Sequence, residues 1–396
     1  MSVPASARSI QRSAGRLRRI VLVAALVALV PVGFSYVHTM ARPSNSSFGI
    51  RTVEWLRENG GAGIVSKIES IYYSLTAPSK GGPTLKSLPA VGYSTAGGSQ
   101  GRTAGHATSS AAATGAPALT SLISTYRPPN IAPILHPALP GEGVWRSASP
   151  NAGPYPPILV TTLRNLREYP RTLAGLAWID TTRTRLTLNP GLSEPAVEMP
   201  RGSAEIPLAG RSRLLATFNS GFKLSDSGGG VVLNGHTYAP MRSGQATLVG
   251  YRDGHVNVIA WNYGSRAPAS VSFARQNLPL IVDHGRPNPK LNDGPEWGAT
   301  LGNAILVWRS AVGVDARGNL IYLAGNYQTV GSLAETLVHA GAVRAMELDI
   351  NSYWVSFITY GRPGAKDPRN LLPDMNRSPL RYLEPDDRDF FAVYAK

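Results

Sequence analysis

The chain has 396 residues, 39 Lys and Arg against 24 Asp and Glu for a net charge of +15, and no cysteine. The missing cysteines exclude a disulfide framework and any cysteine-ligated metal centre, so a folded domain here has to be held by its core. The basic balance suits an anionic envelope polymer or lipid head groups, or simply an arginine-rich soluble surface. Nucleic acid is not an expected partner, because no recognition motif is present and the amino-terminal segment directs the chain to a membrane.

Residues 1–19 carry five arginines and no acid, and residues 20–37 (IVLVAALVALVPVGFSYV) are almost wholly apolar. As a helix, that apolar run spans about 27 Å, enough for the hydrocarbon core of a bilayer. With the arginines on its amino side, the positive-inside rule predicts a cytoplasmic arm at 1–19 and a single transmembrane anchor at 20–37. The carboxy-terminal domain is then extracytoplasmic at the cell membrane. A cleaved signal peptide is the other reading, with Thr39-Met40-Ala41 as a weak small-x-small site, and it gives a secreted protein.

Residues 48–76 predict two juxtamembrane helical pieces broken at Asn59-Gly60-Gly61. Ile64, Ile68, Ile71 and Leu75 share one face of the second piece, which suits a membrane surface or a partner protein. Residues 77–128 are rich in Gly, Ser, Ala, Thr and Pro and predict a flexible linker. The globular domain is expected from 129 to 396.

Within that domain, short apolar or alternating runs are separated by turn signals. Ala246–Tyr251 and 255–261 flank Arg252-Asp253-Gly254, and 304–314 and 320–324 flank Asp315-Ala316-Arg317-Gly318-Asn319, each a hairpin signature. Further strands are expected at 174–180, 213–219, 343–351, 354–360 and 389–394. Ser332-Leu333-Ala334-Glu335 reads as a capping box opening a helix that ends at Gly341. Strands outnumber helices and cluster in hairpins, so the fold class is α+β with a mixed or antiparallel sheet.

Candidate chemistry gathers at strand ends. In Met346-Glu347-Leu348-Asp349-Ile350-Asn351, strand alternation puts Met346, Leu348 and Ile350 on one face and Glu347, Asp349 and Asn351 on the other. Two neighbouring carboxylates raise the pKa of one of them, as a general acid requires; a strand end paired with surface arginines such as Arg344 is the plainer reading. Arg309 lies in an otherwise apolar strand and needs an anionic partner, either Glu347 or Asp349 or a substrate phosphate. Asn219-Ser220-Gly221-Phe222 ends another apolar strand, where an amide and a bare glycine admit either a ligand or a plain turn. His284, in Asp283-His284-Gly285, is a candidate acid, base or ligand in a turn. No metalloprotease, nucleophile-elbow, calcium-loop or phosphate-loop pattern is present. Asp386-Asp387-Arg388-Asp389 reads as a turn stabilised by charge pairs.

In order and spacing, Asn219-Ser220-Gly221-Phe222-Lys223, Arg309-Ser310-Ala311-Val312-Gly313, Ser332-Leu333-Ala334-Glu335 and Leu348-Asp349-Ile350-Asn351-Ser352 resemble four motifs of the phosphodiester glycosidase family, the group related to the lysosomal uncovering enzyme. The resemblance covers about residues 210–360. It implies hydrolysis of a sugar-1-phosphodiester at the anomeric carbon, here on anionic or phosphorylated glycans of the cell envelope. Arg309 would hold the phosphate, Asp349 or Glu347 would act on the sugar or activate water, and Asn219 would orient a hydroxyl beside Gly221. A binding protein using the same cleft without catalysis is the alternative. No cofactor is implied, and a divalent metal is left open. Two departures stand out: the family's glycine run after the aspartate is Ile350-Asn351 here, and the second phenylalanine of its Gly-Phe-Phe is Lys223.

Overall fold

The computed structural model describes residues 5–93, 126–292, 294–298 and 304–396. It divides into two compact units, Met1–Glu69 and Ser70–Lys396.

The first unit is helical. Helix Ala5–Ala41 includes a stretch, Arg19–Ala41, that is long and apolar enough to cross a membrane, a property signal sequences share. Helix Phe48–Leu56 folds back against its end: Trp55 Nε1 donates to Ser35 Oγ at 3.1 Å, and the Tyr36 and Trp55 rings meet edge to face at 5.1 Å. The break predicted at Asn59-Gly60-Gly61 is present, with Gly60 at φ +87° before helix Ala62–Thr76.

The second unit holds three sheets in which every strand pair is antiparallel. The large sheet runs in the order Arg146–Ser147, Ile158–Leu163, Ala174–Ile179, Leu320–Gln328, Val307–Asp315, Ala342–Glu347, Leu280–Asp283, Arg286–Pro287. A second sheet is ordered Lys366–Asn370, Phe357–Arg362, Leu214–Asn219, Phe390–Ala395, Thr184–Asn189. The third is His236–Ala239, Val231–Leu233, Val271–Gln276, Ala246–Tyr251, Val256–Ala260.

One face of the large sheet packs on both smaller sheets through Val312, Tyr322, Met346, Phe218, Phe391 and Leu248. Its other face packs on helix Val330–His339 through Leu323, Ala311, Ala345, Leu333 and Leu337. Burial on both faces explains why Val307–Asp315 is closed to solvent along eight of its nine residues and does not alternate.

Three expectations change. The capping box starts at Thr329, whose side chain accepts from Ser332 N at 3.0 Å while Ser332 Oγ accepts from Thr329 N at 3.0 Å. Glu335 is an exposed mid-helix residue. The strand expected over 343–351 ends at Glu347, so the chain leaves the sheet just where its acids begin. The linker is shorter than 77–128: Lys80 pairs with Glu168 at 3.0 Å, Tyr93 N donates to Ser147 O at 2.7 Å, and Tyr126 packs on Trp178. Residues 94–125 of that expected linker lie outside the described residues.

Thr329→Ala should lower stability by about 1 kcal/mol, whereas Glu335→Ala should change it by less than about 0.5 kcal/mol. Urea unfolding of the two variants checks the reassigned cap, and a larger loss from Glu335→Ala would restore the box expected from sequence.

Candidate functional site

The site forms where strands Leu214–Asn219 and Ala342–Glu347 end and strand Val307–Asp315 begins. Asn219, 2% exposed, uses its whole hydrogen-bonding capacity on protein. Its Nδ2 donates to Ser310 Oγ (3.0 Å) and Ser220 O (2.9 Å), and its Oδ1 accepts from Tyr322 Oη (2.9 Å) and Ser356 N (3.0 Å). No donor or acceptor is left to orient a substrate hydroxyl, so Asn219 positions its neighbours instead.

Arg309, 3% exposed, takes the first of its two expected acidic partners: Nη1 donates to Glu347 Oε1 at 2.6 Å. It also donates to Trp297 O (2.9 Å) and, through Nε, to Gln328 O (3.2 Å). Among the described residues, nothing accepts from Nη2. Burial pushes the Glu347 carboxyl up to about 7; the Arg309 guanidinium pulls it down, and the Asp349 charge adds to the rise. Glu347 Oε2 is buried and bonded to nothing.

Asp349, 5% exposed, faces a different cation. Arg388 Nη2 donates to Asp349 Oδ2 at 2.7 Å, and Asn351 N donates to Oδ1 at 2.9 Å. Arg344, named as a surface partner for these acids, turns away to Val258 O and Asn257 Oδ1.

Gly221 sits close against Asn277: a Cβ there would lie 3.2 Å from Asn277 Cγ, so a larger residue would have to push that side chain by a few tenths of an ångström. Asn277 Nδ2 donates to Glu347 O at 2.7 Å, leaving Asn277 Oδ1 buried and unpartnered, as Ser220 Oγ is. Three buried polar atoms without partners therefore stand on segments that touch one another, Ser220 Oγ, Asn277 Oδ1 and Glu347 Oε2. Such a cluster is rare in a folded interior unless something else binds there.

Two expected residues do not join. His284 is exposed, 91% for its side chain, at φ +49° in the turn after Leu280–Asp283, and pairs with Asp283 at 3.1 Å. That turn lies toward Val343, the opposite end of the neighbouring strand from Glu347. Asn351 borders the site, but its Oδ1 accepts from Tyr353 N (2.9 Å) and serves a turn. Ile350 packs close to Gly298: a Cβ on Gly298 would come within 2.5 Å of Ile350 Cδ1 and 2.9 Å of Phe222 Cζ.

The turn expected at 386–389 does more than stabilise itself. Asp386 takes a bidentate pair from Arg381 (2.7 and 3.0 Å), Asp389 takes Arg275 (2.8 Å), and Arg388 crosses to Asp349. Burial alone would raise the Asp386 pKa, but Arg381 and Arg377 outweigh it and hold the carboxyl below its ordinary range. Arg388, Asn277 and Ser220 are the residues that sequence reasoning missed; their only signal was polar residues beside buried strand ends. Among the described residues, no three His, Asp or Glu side chains stand together as a metal site would need.

Residues 212–349 match the family model described as phosphodiester glycosidase. Among solved structures it is similar to a hypothetical protein from Synechocystis, at 14% identity and a TM-score of 0.38, covering 61% of this chain and 62% of that one. The chain thus spans less than two thirds of the Synechocystis protein. It is also similar to the catalytic domain of zebrafish N-acetylglucosamine-1-phosphodiester alpha-N-acetylglucosaminidase auto-inhibited by its pro-peptide, at 15% identity and a TM-score of 0.40, covering 64% of this chain and 87% of that one. No curated protein matches the sequence.

Glu347 binds its proton more tightly in the folded chain than the ordinary 4.5 of an exposed glutamate. The stability it contributes is therefore full below about 4.5 and lost as pH rises through about 7. Stability of the wild type relative to Glu347→Gln should fall across that window and level off above it. Urea unfolding at a series of pH values measures the difference, and a flat difference would place the Glu347 pKa near its ordinary value.

Proposed function

We propose that this protein is an extracytoplasmic hydrolase of sugar-1-phosphodiester linkages in envelope glycans, held at the cell membrane by its amino-terminal helix. The observation that carries the reading is the buried Arg309–Glu347 pair, with a free guanidinium nitrogen on one partner and an unbonded carboxyl oxygen on the other.

The chemistry follows from the charges. A phosphodiester leaving group is already stabilised as an anion, so a cation beside it replaces much of the acid assistance that glycosidases usually need. Arg309 Nη2 is the group to take a phosphate oxygen. Water adds to the anomeric carbon, the bond from that carbon to the phosphate oxygen breaks, and its electron pair leaves with the phosphomonoester. Asp349, paired with Arg388, accepts the proton from water; Glu347, protonated for much of the time near neutral pH, gives one to the departing oxygen. Ser220 Oγ and Asn277 Oδ1 are the buried groups available to sugar hydroxyls. The anchor reading rests on the apolar stretch Arg19–Ala41 with the arginine-rich arm before it.

A second reading has its own support. At the position where the resemblance calls for glycine, this chain places Ile350, whose side chain packs close to Gly298 beside Phe222 and takes up space next to Asp349 in sequence. A glycan-binding relative without turnover would look this way.

The deciding experiment incubates the full-length protein with a panel of sugar-1-phosphodiesters, with and without EDTA, and follows free reducing sugar. The hydrolase reading expects release that falls about 10²–10⁴-fold in Asp349→Asn and that loses its alkaline limb near pH 7 in Glu347→Gln. Folded wild type silent on every substrate, joined by glycan retention, would establish the binding reading. Turnover appearing only in Ile350→Gly would identify that side chain as the block.

A further inference from the structure

We propose that the domain has a second binding site, for a small apolar carboxylate, at the far end of the second sheet from Arg309 and Asp349. A cavity of about 400 Å³ opens there, between the start of strand Leu214–Asn219, the end of strand Phe357–Arg362 and the first residues of strand Ile158–Leu163. Its volume lies within the range of small-molecule sites. Leu214 and Asn219 are the two ends of one strand, so the cavity is separated from the candidate active site by about 17 Å along it.

The lining is built from two opposed kinds of group. Ile158, Leu214, Leu215 and Tyr360 give it an apolar floor, and the Tyr360 hydroxyl is already engaged with Thr217 Oγ1 at 3.2 Å. Arg213 and Arg362 also line it and are exposed, and the guanidinium of neither forms an ion pair or a hydrogen bond with a described residue. Asp367, the acid whose field Arg362 feels, is committed to the Tyr93 hydroxyl and to Arg369 (3.1 Å). This contrasts with the domain's buried arginines at 164, 275, 309, 381 and 388, each of which has a carboxylate partner. Ser149, Asn151 and Ser212 add neutral polar groups to the lining, and the two arginines are its charged side chains. Two unpaired guanidinium groups over an apolar floor are complementary to one class of ligand, an aryl or acyl body carrying one carboxylate, which the planar fork of arginine binds through two parallel hydrogen bonds. A neutral apolar molecule would leave the arginines unused, and a bare anion would leave the floor uncovered.

The test is calorimetric titration of 2-naphthoate into the full-length protein in non-ionic detergent, with detergent alone as the blank. Arg213 and Arg362 are exposed, so the double variant Arg213→Gln/Arg362→Gln keeps the fold, and its thermal melt checks this. The site expects saturable one-to-one binding of 2-naphthoate, weakened about tenfold or more in the double variant, with 2-naphthol binding the wild type at least about tenfold more weakly than 2-naphthoate. Absence of saturable binding, equal binding of the uncharged 2-naphthol, or unchanged affinity in the double variant would each overturn the proposal.

Discussion

The amide of Asn219 is the constraint on which the site depends. One side chain holds Ser310 of the large sheet, Tyr322 of the adjacent strand and the backbone of Ser356, and it does so with no capacity to spare. Buried amides are costly unless fully bonded. Satisfying this one requires the ends of two sheets to meet at a single register. Once they meet, Asp349 N can donate to Ser220 O (3.1 Å) and Leu348 N to Ser310 O (2.8 Å), and the segment carrying the acids is fixed as it leaves the sheet.

Around that junction the domain buries charge in matched pairs. Removing such ions from water costs several kcal/mol each, and replacing a pair by apolar residues is often neutral, so the pairs are poor evidence of stability. Their geometry says more. Arg164 with Glu142 and Arg381 with Asp386 are bidentate, whereas Arg309 meets Glu347 through one nitrogen and one oxygen, spends Nε on Gln328 O, and leaves Nη2 and Glu347 Oε2 without partners among the described residues. Arg275 with Asp389 is likewise single and leaves Asp389 Oδ1 unbonded among the described residues. Both open pairs border the junction, where Ser220 N donates to Asp389 O at 3.3 Å and where Ser220 Oγ and Asn277 Oδ1 also lack partners.

Much of this was legible in sequence because it is local. Hairpins announce themselves through Asp-Gly turns, and the strand and helix segments, together with the order of the family motifs, lay within a residue or a few of their places. The Arg309 partner could be narrowed to two acids because a lone arginine in an apolar strand must have one. What escaped was non-local. Alternation put Glu347 and Asp349 on one face, but the strand stops at Glu347, so the two acids find different arginines. Arg388 looked like part of a turn because its partner lies 39 residues away in sequence. Asn219 was read as a ligand because a strand-end amide carries no mark of how many neighbours will claim it. The helix cap moved for a simpler reason: Thr329 and Ser332 form the same reciprocal pair that Ser332 and Glu335 would have formed, one turn earlier.

The docking of Tyr93 changes where the domain begins. Lys80 pairs with Glu168, Gly81 N donates to Glu168 O at 2.8 Å, and Tyr93 N donates to Ser147 O at 2.7 Å, so chain well ahead of residue 129 is fastened to the body of the domain. Arg127 Nη2, donating to Trp145 O at 2.6 Å, fastens it again just before residue 129. A fragment started at 129 would strip these partners from Glu168, Ser147 and Trp145, and would bare the Arg146–Ser147 edge of the large sheet that Tyr93 covers.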